Sequence, residues 1–119
     1  MDLLDAVTGE LRHRLVGHQR AVHRLAFSPA SDLLISSGGD FTVRLWEVAT
    51  GRLLRSIPTE DGATDTCFSP DGSLLAASSG TAVLVVDAAT GKLLHRFPAR
   101  SGRVDHHAFH PSGRWIAWT

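Results

Sequence analysis

The chain has 119 residues, which is enough for one domain of ordinary size. Its apolar fraction of 43% and charged fraction of 20% are typical of a globular protein. Twelve basic residues are balanced by twelve acidic residues, so the net charge is zero. A nucleic-acid-binding surface needs an excess of basic side chains, so we expect no nucleic-acid partner.

Cysteine content and the absence of targeting features bear on location. Cys67 is the single cysteine, which excludes an intrachain disulfide, and its place in a strand pattern predicts a small, packed side chain. The first five residues contain two acids and no basic residue, which argues against a secretory signal. No apolar run approaches the roughly 18 residues needed to cross a bilayer. We therefore predict a cytoplasmic protein with no membrane partner.

The predicted elements are short strands, and no long stretch has the period of a helix. Alternating or continuous apolar residues, rich in β-branched types, predict these strands between polar turns. In chain order they cover residues 3–5, 12–15, 22–27, 33–37, 43–46, 53–57, a segment ending at 68, 74–77, 83–86, 93–97, 104–109 and 115–118.

Two kinds of turn separate the strands. Residues 69–72, Ser-Pro-Asp-Gly, fit a type I turn, with proline at the second position and glycine at the fourth. Gly51 and Gly91 stand where a hairpin loop requires a positive φ. Both turns join neighbouring strands, so the predicted fold class is all-β and antiparallel.

The turns belong to an internal repeat. The tripeptide Phe-Ser-Pro or Phe-His-Pro begins at residues 27, 68 and 109, at intervals of 41. A second marker, an acidic residue followed by two small apolar residues and Thr-Gly, begins at residues 5, 47 and 87. A period of about 40–45 residues with several short strands per repeat is typical of β-propeller blades.

Twelve strands amount to three four-stranded blades, divided unevenly along the chain. We predict an outer half-blade over residues 1–17, full blades over 18–58 and 59–99, and an inner half-blade over 100–119. The two halves are complementary. Three blades do not close a ring, since propellers usually have about 4–8. Two explanations stay open: the chain is a fragment of a longer propeller, or chains assemble head to tail through their half-blades.

The first full repeat carries a more specific motif. It runs from Gly17-His18 through Leu25-Ala26-Phe27-Ser28-Pro29 and Asp40 to residues 42–47 and Thr50-Gly51. This pattern resembles a Trp-Asp (WD) repeat of the WD-repeat β-propeller family, and the resemblance covers nearly the whole chain.

The resemblance implies a buried, hydrogen-bonded tetrad formed by His18, Ser36, Asp40 and Trp46. A buried aspartate needs donors, and the indole N–H of a buried tryptophan needs an acceptor. Other repeats depart from the pattern: Thr59, Gly80 and Val86 replace the histidine, aspartate and tryptophan in the second, and Trp118 aligns with the serine in the third. We therefore expect the tetrad in one blade only.

Catalytic and metal sites are the competing interpretations of the polar residues. His18 and Asp40 could form a catalytic pair, but we favour the structural tetrad because buried polar groups usually satisfy one another. Asp105, His106, His107 and His110 form the one metal-like cluster, yet adjacent strand residues point to opposite faces. No phosphate loop or nucleophile elbow is present. We predict no catalytic residue, metal or cofactor.

The resemblance implies a non-catalytic scaffold that binds proteins or peptides through its loops. The alternative is a propeller segment of a larger multidomain enzyme or signalling protein with catalysis elsewhere, and a degenerate remnant is a third, weaker hypothesis. Head-to-tail assembly adds a homo-oligomer to the predicted partners. The candidate binding residues lie in loops that enter the first strands of the repeats. They are Arg20, Asp61, Arg100 and Arg103.

Overall fold

The computed structural model describes residues 1–119 as twelve β-strands. It contains no helix long and apolar enough to cross a membrane. The strands are β1 Asp2–Leu4, β2 Leu11–Arg14, β3 Val22–Phe27, β4 Leu33–Gly38, β5 Thr42–Glu47, β6 Leu53–Pro58, β7 Thr66–Phe68, β8 Leu74–Ser79, β9 Ala82–Asp87, β10 Leu93–Pro98, β11 His107–Phe109 and β12 Ile116–Trp118.

The strands form four antiparallel sheets, each made of consecutive strands. Two sheets have four strands, β3 to β6 and β7 to β10, and two have only two strands, β1–β2 and β11–β12. We call the larger sheets blade 1 and blade 2, and the smaller ones the leading and trailing half-blades. Strands β3, β7 and β11 contact one another in series, which places the first strand of each unit on a common inner side. The predicted fold class is confirmed.

One predicted strand is shorter in the structure. Residues 104–109 were expected to be extended, but the strand begins at His107. Backbone hydrogen bonds of Asp105 and His106 to Thr119, each at 3.0 Å, continue the pairing beyond the strand, while the Val104 N–H donates to the carbonyl of Gly80 at 2.9 Å. Only Val104 therefore leaves the ladder for a turn of blade 2. The ends of the other strands differ from the predicted bounds by one or two residues, the larger difference being at β8, which extends to Ser79.

The loops lie at two opposite ends of the blades. We call the end formed by residues 15–21, 39–41, 59–65, 80–81 and 99–106 the upper rim, and the other end the lower rim. Backbone hydrogen bonds tie the upper-rim loops to neighbouring turns: Gly39 N–H to the Ala21 carbonyl at 2.9 Å, and Thr59 N–H to the Phe41 carbonyl at 2.8 Å. The upper-rim loops are therefore braced by the backbone as well as by the side chains described below.

The main hydrophobic core lies between the two blades. Ile35 and Leu45 of blade 1 pack against a group of blade 2 side chains that includes Leu75. The other members from blade 2 are Leu84, Val86 and Ala88. Each blade thus covers an apolar face that its neighbour would otherwise expose, so the contact between them contributes to the stability of both.

Truncating the core between the blades tests this dependence. Leu75, which is 1% exposed, loses its contacts with both blades in Leu75→Ala, and we expect the free energy of unfolding to fall by about 2–5 kcal/mol. Leu93→Ala removes a leucine that is 50% exposed and is expected to change it by less than about 0.5 kcal/mol. Urea titration followed by circular dichroism measures both. Equal losses in the two variants would contradict the packing described.

Candidate functional site

Four polar and aromatic side chains of blade 1 meet just beneath the upper rim. His18 Nδ1 lies 3.0 Å from both carboxylate oxygens of Asp40, and His18 Nε2 lies 2.7 Å from Ser36 Oγ. The indole N–H of Trp46 donates to the same Ser36 Oγ at 2.9 Å. The structure therefore brings together His18, Ser36, Asp40 and Trp46, from a loop, two strands and a turn.

These bonds form one directed chain. Since Ser36 Oγ accepts from the indole, its own hydroxyl hydrogen donates to His18 Nε2, and His18 then donates from Nδ1 to Asp40. A ring that donates from Nδ1 and accepts at Nε2 satisfies every partner in this arrangement. The network needs no water and no reaction partner.

Donors surround the Asp40 carboxylate. Burial alone raises the pKa of Asp40, but hydrogen bonds from the Gln19 N–H, the Thr42 hydroxyl and His18 outweigh burial and hold the pKa well below its usual range. The Arg44 guanidinium adds a longer ion pair at 3.5 Å. Asp40 therefore stays ionised and ties the loop before β3 to the turn after β4.

Two glycines near the tetrad lie where an added Cβ would be crowded. A Cβ at Gly17 would lie 2.0 Å from Arg44 Nη1 and 3.2 Å from the Trp46 ring. A Cβ at Gly38 would lie 2.7 Å from His18 Nδ1. In the Gly-His pair at residues 17–18, the glycine thus leaves room for the Arg44 guanidinium and the Trp46 ring.

Blade 2 anchors its upper-rim loop differently. The fully buried Ser78 hydroxyl accepts hydrogen bonds from the N–H groups of Thr64 and Asp65, at 3.1 and 2.8 Å. Ser79 Oγ accepts from the Glu60 N–H at 2.9 Å. Two serines on β8 therefore hold the loop that in blade 1 is held by the tetrad. A serine pair gave no distinct signal in the sequence, since serine is common in loops and strands.

A buried carboxylate joins the three inner strands. Asp65, at the start of β7, accepts the Thr66 and His107 N–H groups at 3.0 and 3.1 Å. The Arg24 guanidinium of β3 pairs with it at 3.2 Å. Asp65 thus connects blade 1, blade 2 and the trailing half-blade through one side chain. Sequence reasoning missed it, because its partners are about 40 residues away in both directions along the chain.

His107 lies beside this carboxylate without a hydrogen bond to either ring nitrogen. Its side chain is fully buried, whereas that of His106 is 78% exposed. Burial lowers the pKa of His107, more strongly than the neighbouring Asp65 carboxylate raises it. His107 therefore stays neutral in the folded chain at neutral pH.

The metal-like cluster of the sequence is dispersed. His110 lies at the lower rim, where its Nδ1 accepts the Ser112 N–H at 3.1 Å. His106 precedes β11 and His110 follows it, so the two lie at opposite ends of the strand. No group of three histidine, cysteine, aspartate or glutamate residues has the geometry to hold a metal ion. Cys67 is half-buried, and burial, reinforced by Asp65, raises the pKa of its thiol to about 11.

The four candidate binding residues lie on the upper rim, in three different loops, and all four are exposed. Arg20 packs beside Gly39, and Asp61 lies across Gly80, where a Cβ would meet its carboxylate. Arg100 and Arg103 lie in the loop before β11. The structure thus places them at one end of the molecule. The half-exposed Phe41, which sequence reasoning did not select, stands between the loops of blades 1 and 2.

Four-stranded antiparallel blades with serial inner strands define a partial β-propeller. The family described as "WD domain, G-beta repeat" matches residues 9–47 and 51–86, more than half of the chain. The chain therefore belongs to the WD-repeat family.

Individual relatives agree with this assignment. A ribosome biogenesis protein BOP1 homolog from Aedes aegypti is 30% identical over 114 residues, which cover 87% of this chain and 13% of that protein. The U3 small nucleolar RNA-associated protein 21 of Saccharomyces cerevisiae is 35% identical over 79 residues, 66% of this chain and 8% of that protein. The solved structure of U3-55K superposes with a TM-score of 0.84 at 25% identity, over 88% of this chain and 35% of that one. The chain thus spans only about a tenth of the length of these curated relatives.

The prediction of a cytoplasmic location is wrong in the light of these relatives. Their names refer to ribosome biogenesis and to small nucleolar RNA, which are not cytoplasmic designations. The prediction had used only the lack of a secretory signal and of a membrane span. Nuclear and cytoplasmic proteins share both features, so composition could not distinguish them.

Removing the tetrad histidine tests whether the network is structural. His18→Ala leaves the buried Asp40 and Ser36 without their shared partner, and we expect a loss of unfolding free energy on the order of 1–3 kcal/mol. The exposed His23→Ala serves as the control, with little expected change. Thermal denaturation followed by circular dichroism compares them. An unchanged midpoint for His18→Ala would argue against a structural tetrad.

The pH dependence of stability tests the state of His107. Its folded pKa is below the ordinary value of 6.5, so the unfolded chain takes up the proton first, and stability falls as the pH drops below about 6.5. The groups that face it are Asp65, Arg24 and His106. In His107→Leu we expect a smaller loss of stability between neutral and mildly acidic pH than in the original chain. His110→Leu is the control, and equal losses in all three proteins would show that His107 is not protonated on unfolding.

Proposed function

We propose that this segment is a non-catalytic protein–protein interaction scaffold whose contact surface is the upper rim. The observation that carries the proposal is the contrast between fixed loops and free side chains. Buried networks around Asp40 and Ser78 hold the loop backbones, while Arg20, Asp61 and Arg100 remain exposed. A surface of this kind is pre-organised, so little conformational entropy is lost when a partner binds.

The burial of the His18–Asp40 pair supports a non-catalytic role. The two side chains are only 4% and 6% exposed, and each polar atom of the imidazole already has a partner inside the blade. A general base must reach the proton that it removes from a substrate. This argument applies to residues 1–119. The alternative function, a propeller segment of a larger enzyme or signalling protein, places catalysis in another domain.

Proteins or peptides are the proposed partners, with neither nucleic acid nor membrane in direct contact. The balanced charge of the chain supports this choice over nucleic acid. The relatives named for ribosome biogenesis support partners within large assemblies of that type. A homo-oligomer that completes a ring through the half-blades is the remaining partner in the proposal.

The chemistry of the upper rim favours an acidic partner segment. Three of the four candidate residues are arginines, and the nearby Glu60 is already paired with Arg96 at 2.7 Å. The half-exposed Phe41 adds an apolar contact at the centre of the rim. Arginine and aromatic side chains are the residues that most often dominate protein interfaces.

Charge removal on the upper rim tests the proposal. In a variant with Arg20, Arg100 and Arg103 all changed to alanine, we expect proteins captured from a cell extract by the immobilised chain to be lost. The matched variant changes three basic residues of the lower rim, Arg52, Lys92 and Arg114. We expect this variant to retain the captured proteins. Quantitative mass spectrometry, with and without nuclease treatment, compares the two.

The result that would contradict the proposal is capture that ignores the upper rim. Equal retention by both triple variants would remove the upper rim as the contact surface. Capture lost on nuclease treatment, together with tight binding of a single-stranded RNA oligonucleotide by the purified chain, would replace proteins with RNA as the direct partner. Circular dichroism of both variants confirms that they are folded.

A further inference from the structure

Phe41 is an aromatic residue in a backbone conformation that favours glycine. It ends the loop between β4 and β5, and its φ is 60°. Because Gly38 pairs with Thr42 across this hairpin, the loop is residues 39–41, and the last residue of such a loop is usually a glycine in the left-handed conformation. In the corresponding loop of blade 2 the residue with positive φ is Gly80. Turn chemistry therefore does not explain the phenylalanine, since a bulky residue at positive φ is strained.

Packing in the core does not explain Phe41 either. The residue is 50% exposed and belongs to none of the hydrophobic clusters. It lies between blade 1 and blade 2, which both have all four strands, so its exposure does not come from an open edge of the molecule. Its carbonyl accepts the Thr59 N–H at 2.8 Å, which fixes the backbone while the ring stays accessible. A strained residue that its surroundings hold in place is a candidate for a functional role.

Two glycines leave the ring of Phe41 uncovered. A Cβ at Gly62 would lie 3.8 Å from Phe41 Cε1 and 3.7 Å from the Cα of Gly39, which are ordinary contact distances. Gly62 does not have a positive φ, so a larger residue would fit there without backbone strain. The absence of a side chain at Gly62 keeps one side of the ring open. We call the Phe41 ring, with Gly39 and Gly62 beside it, the Phe41 platform.

Charged side chains lie on two sides of the platform. Arg20 Cβ is 3.7 Å from the Cβ position of Gly39, on the blade 1 side. On the blade 2 side, Asp61 lies across Gly80, where a Cβ would collide with its carboxylate. Neither Arg20 nor Asp61 forms a salt bridge within the chain. The platform therefore offers an apolar face with a free positive charge on one side and a free negative charge on the other.

We propose that the Phe41 platform binds a protein segment in which an apolar side chain has an acidic residue beside it. The apolar side chain packs on the Phe41 ring, and the carboxylate pairs with Arg20. Asp61 repels a second acidic residue on the opposite side, so the platform selects an apolar residue with acid on one side over a uniformly acidic run. Exposed aromatic and arginine side chains are the residues that most often dominate such contacts.

This inference rests on the proposed function, because it names the residue that binds and the chemistry of the partner at the upper rim. The proposed function requires only that the upper rim is the contact surface. It therefore survives if the arginines bind a partner without Phe41.

Peptide selection tests the platform with a defined probe. A phage-displayed library of random peptides is selected on the immobilised chain, and a peptide with the recovered consensus is synthesised with a fluorescent label. We expect the consensus to combine an aliphatic or aromatic residue with a neighbouring aspartate or glutamate. Asparagine tolerates a positive φ, so Phe41→Asn removes the ring and keeps the loop. We expect fluorescence anisotropy to give a dissociation constant at least about tenfold weaker for this variant.

Further variants test the surroundings of the ring without changing Phe41. Gly62→Gln places a side chain over the ring, and we expect it to weaken the peptide as Phe41→Asn does. Ser101→Gln, in the exposed loop before β11 on the same rim, is the matched control, and we expect it to retain binding. We also expect Arg20→Ala to weaken the peptide and Asp61→Ala to leave its binding equal or tighter.

The proposal is overturned if no peptide is recovered, if the consensus lacks an apolar residue, or if Phe41→Asn binds as tightly as the original chain. Equal binding by Gly62→Gln and Ser101→Gln would also overturn it. A loss confined to Arg20→Ala would keep the upper rim as the contact surface and remove Phe41 from it. Thermal denaturation followed by circular dichroism shows that each variant is folded, and a lower midpoint for Phe41→Asn would assign the ring a structural role instead.

Discussion

The packing of one blade against the next is the constraint on which the rest of this structure depends. A four-stranded sheet has two faces, and a blade of about 40 residues cannot cover both with its own side chains. Ile35 and Leu45 are buried because Leu75 and its neighbours lie over them. Thr66 of β7 is likewise buried, at 1% exposure. The stability of the two blades depends on this packing.

The two blades hold their upper-rim loops with different hydrogen-bond networks. In blade 1 a chain of hydrogen bonds from Trp46 to Asp40 ties the upper-rim loop to the sheet. In blade 2 two serines on β8 achieve the same by accepting backbone N–H groups. Different side chains therefore fix the same kind of loop above the apolar interior of a blade. This explains how the second repeat can lose the tetrad and keep its geometry.

The junction at Asp65 differs from these networks because it crosses between units. Its carboxylate is compensated by Arg24 from β3 and by backbone donors from β7 and β11. A buried charge is tolerated only when such partners are in place. The inner side of the molecule is therefore held by charge and hydrogen bonds, whereas the region between the blades is held by apolar contacts. At the lower rim, His13 Nε2 lies 2.9 Å from the Ala49 carbonyl and Arg55 donates to the Ala89 carbonyl at 3.1 Å. These contacts link the leading half-blade to blade 1 and blade 1 to blade 2.

Local chemistry was sufficient to predict the strands, turns and repeat. Proline and glycine at fixed positions mark the turns, and Gly51 and Gly91 adopt the positive φ that the hairpins require. The period, the number of strands and the all-β class follow from this spacing. The resemblance to the WD-repeat family predicted a tetrad of His18, Ser36, Asp40 and Trp46. The structure brings these four side chains together.

Only the tertiary structure decided which residues meet across repeats. Asp65 and Arg24, and the buried side chain of His107 beside Asp65, have no signature in a single sequence, because their partners are about a full repeat away. The same limit applies to Val104, which was expected in the strand but bonds to a turn of blade 2. Local patterns report φ, ψ and the face of a strand, whereas contacts between blades depend on how the sheets are placed in space.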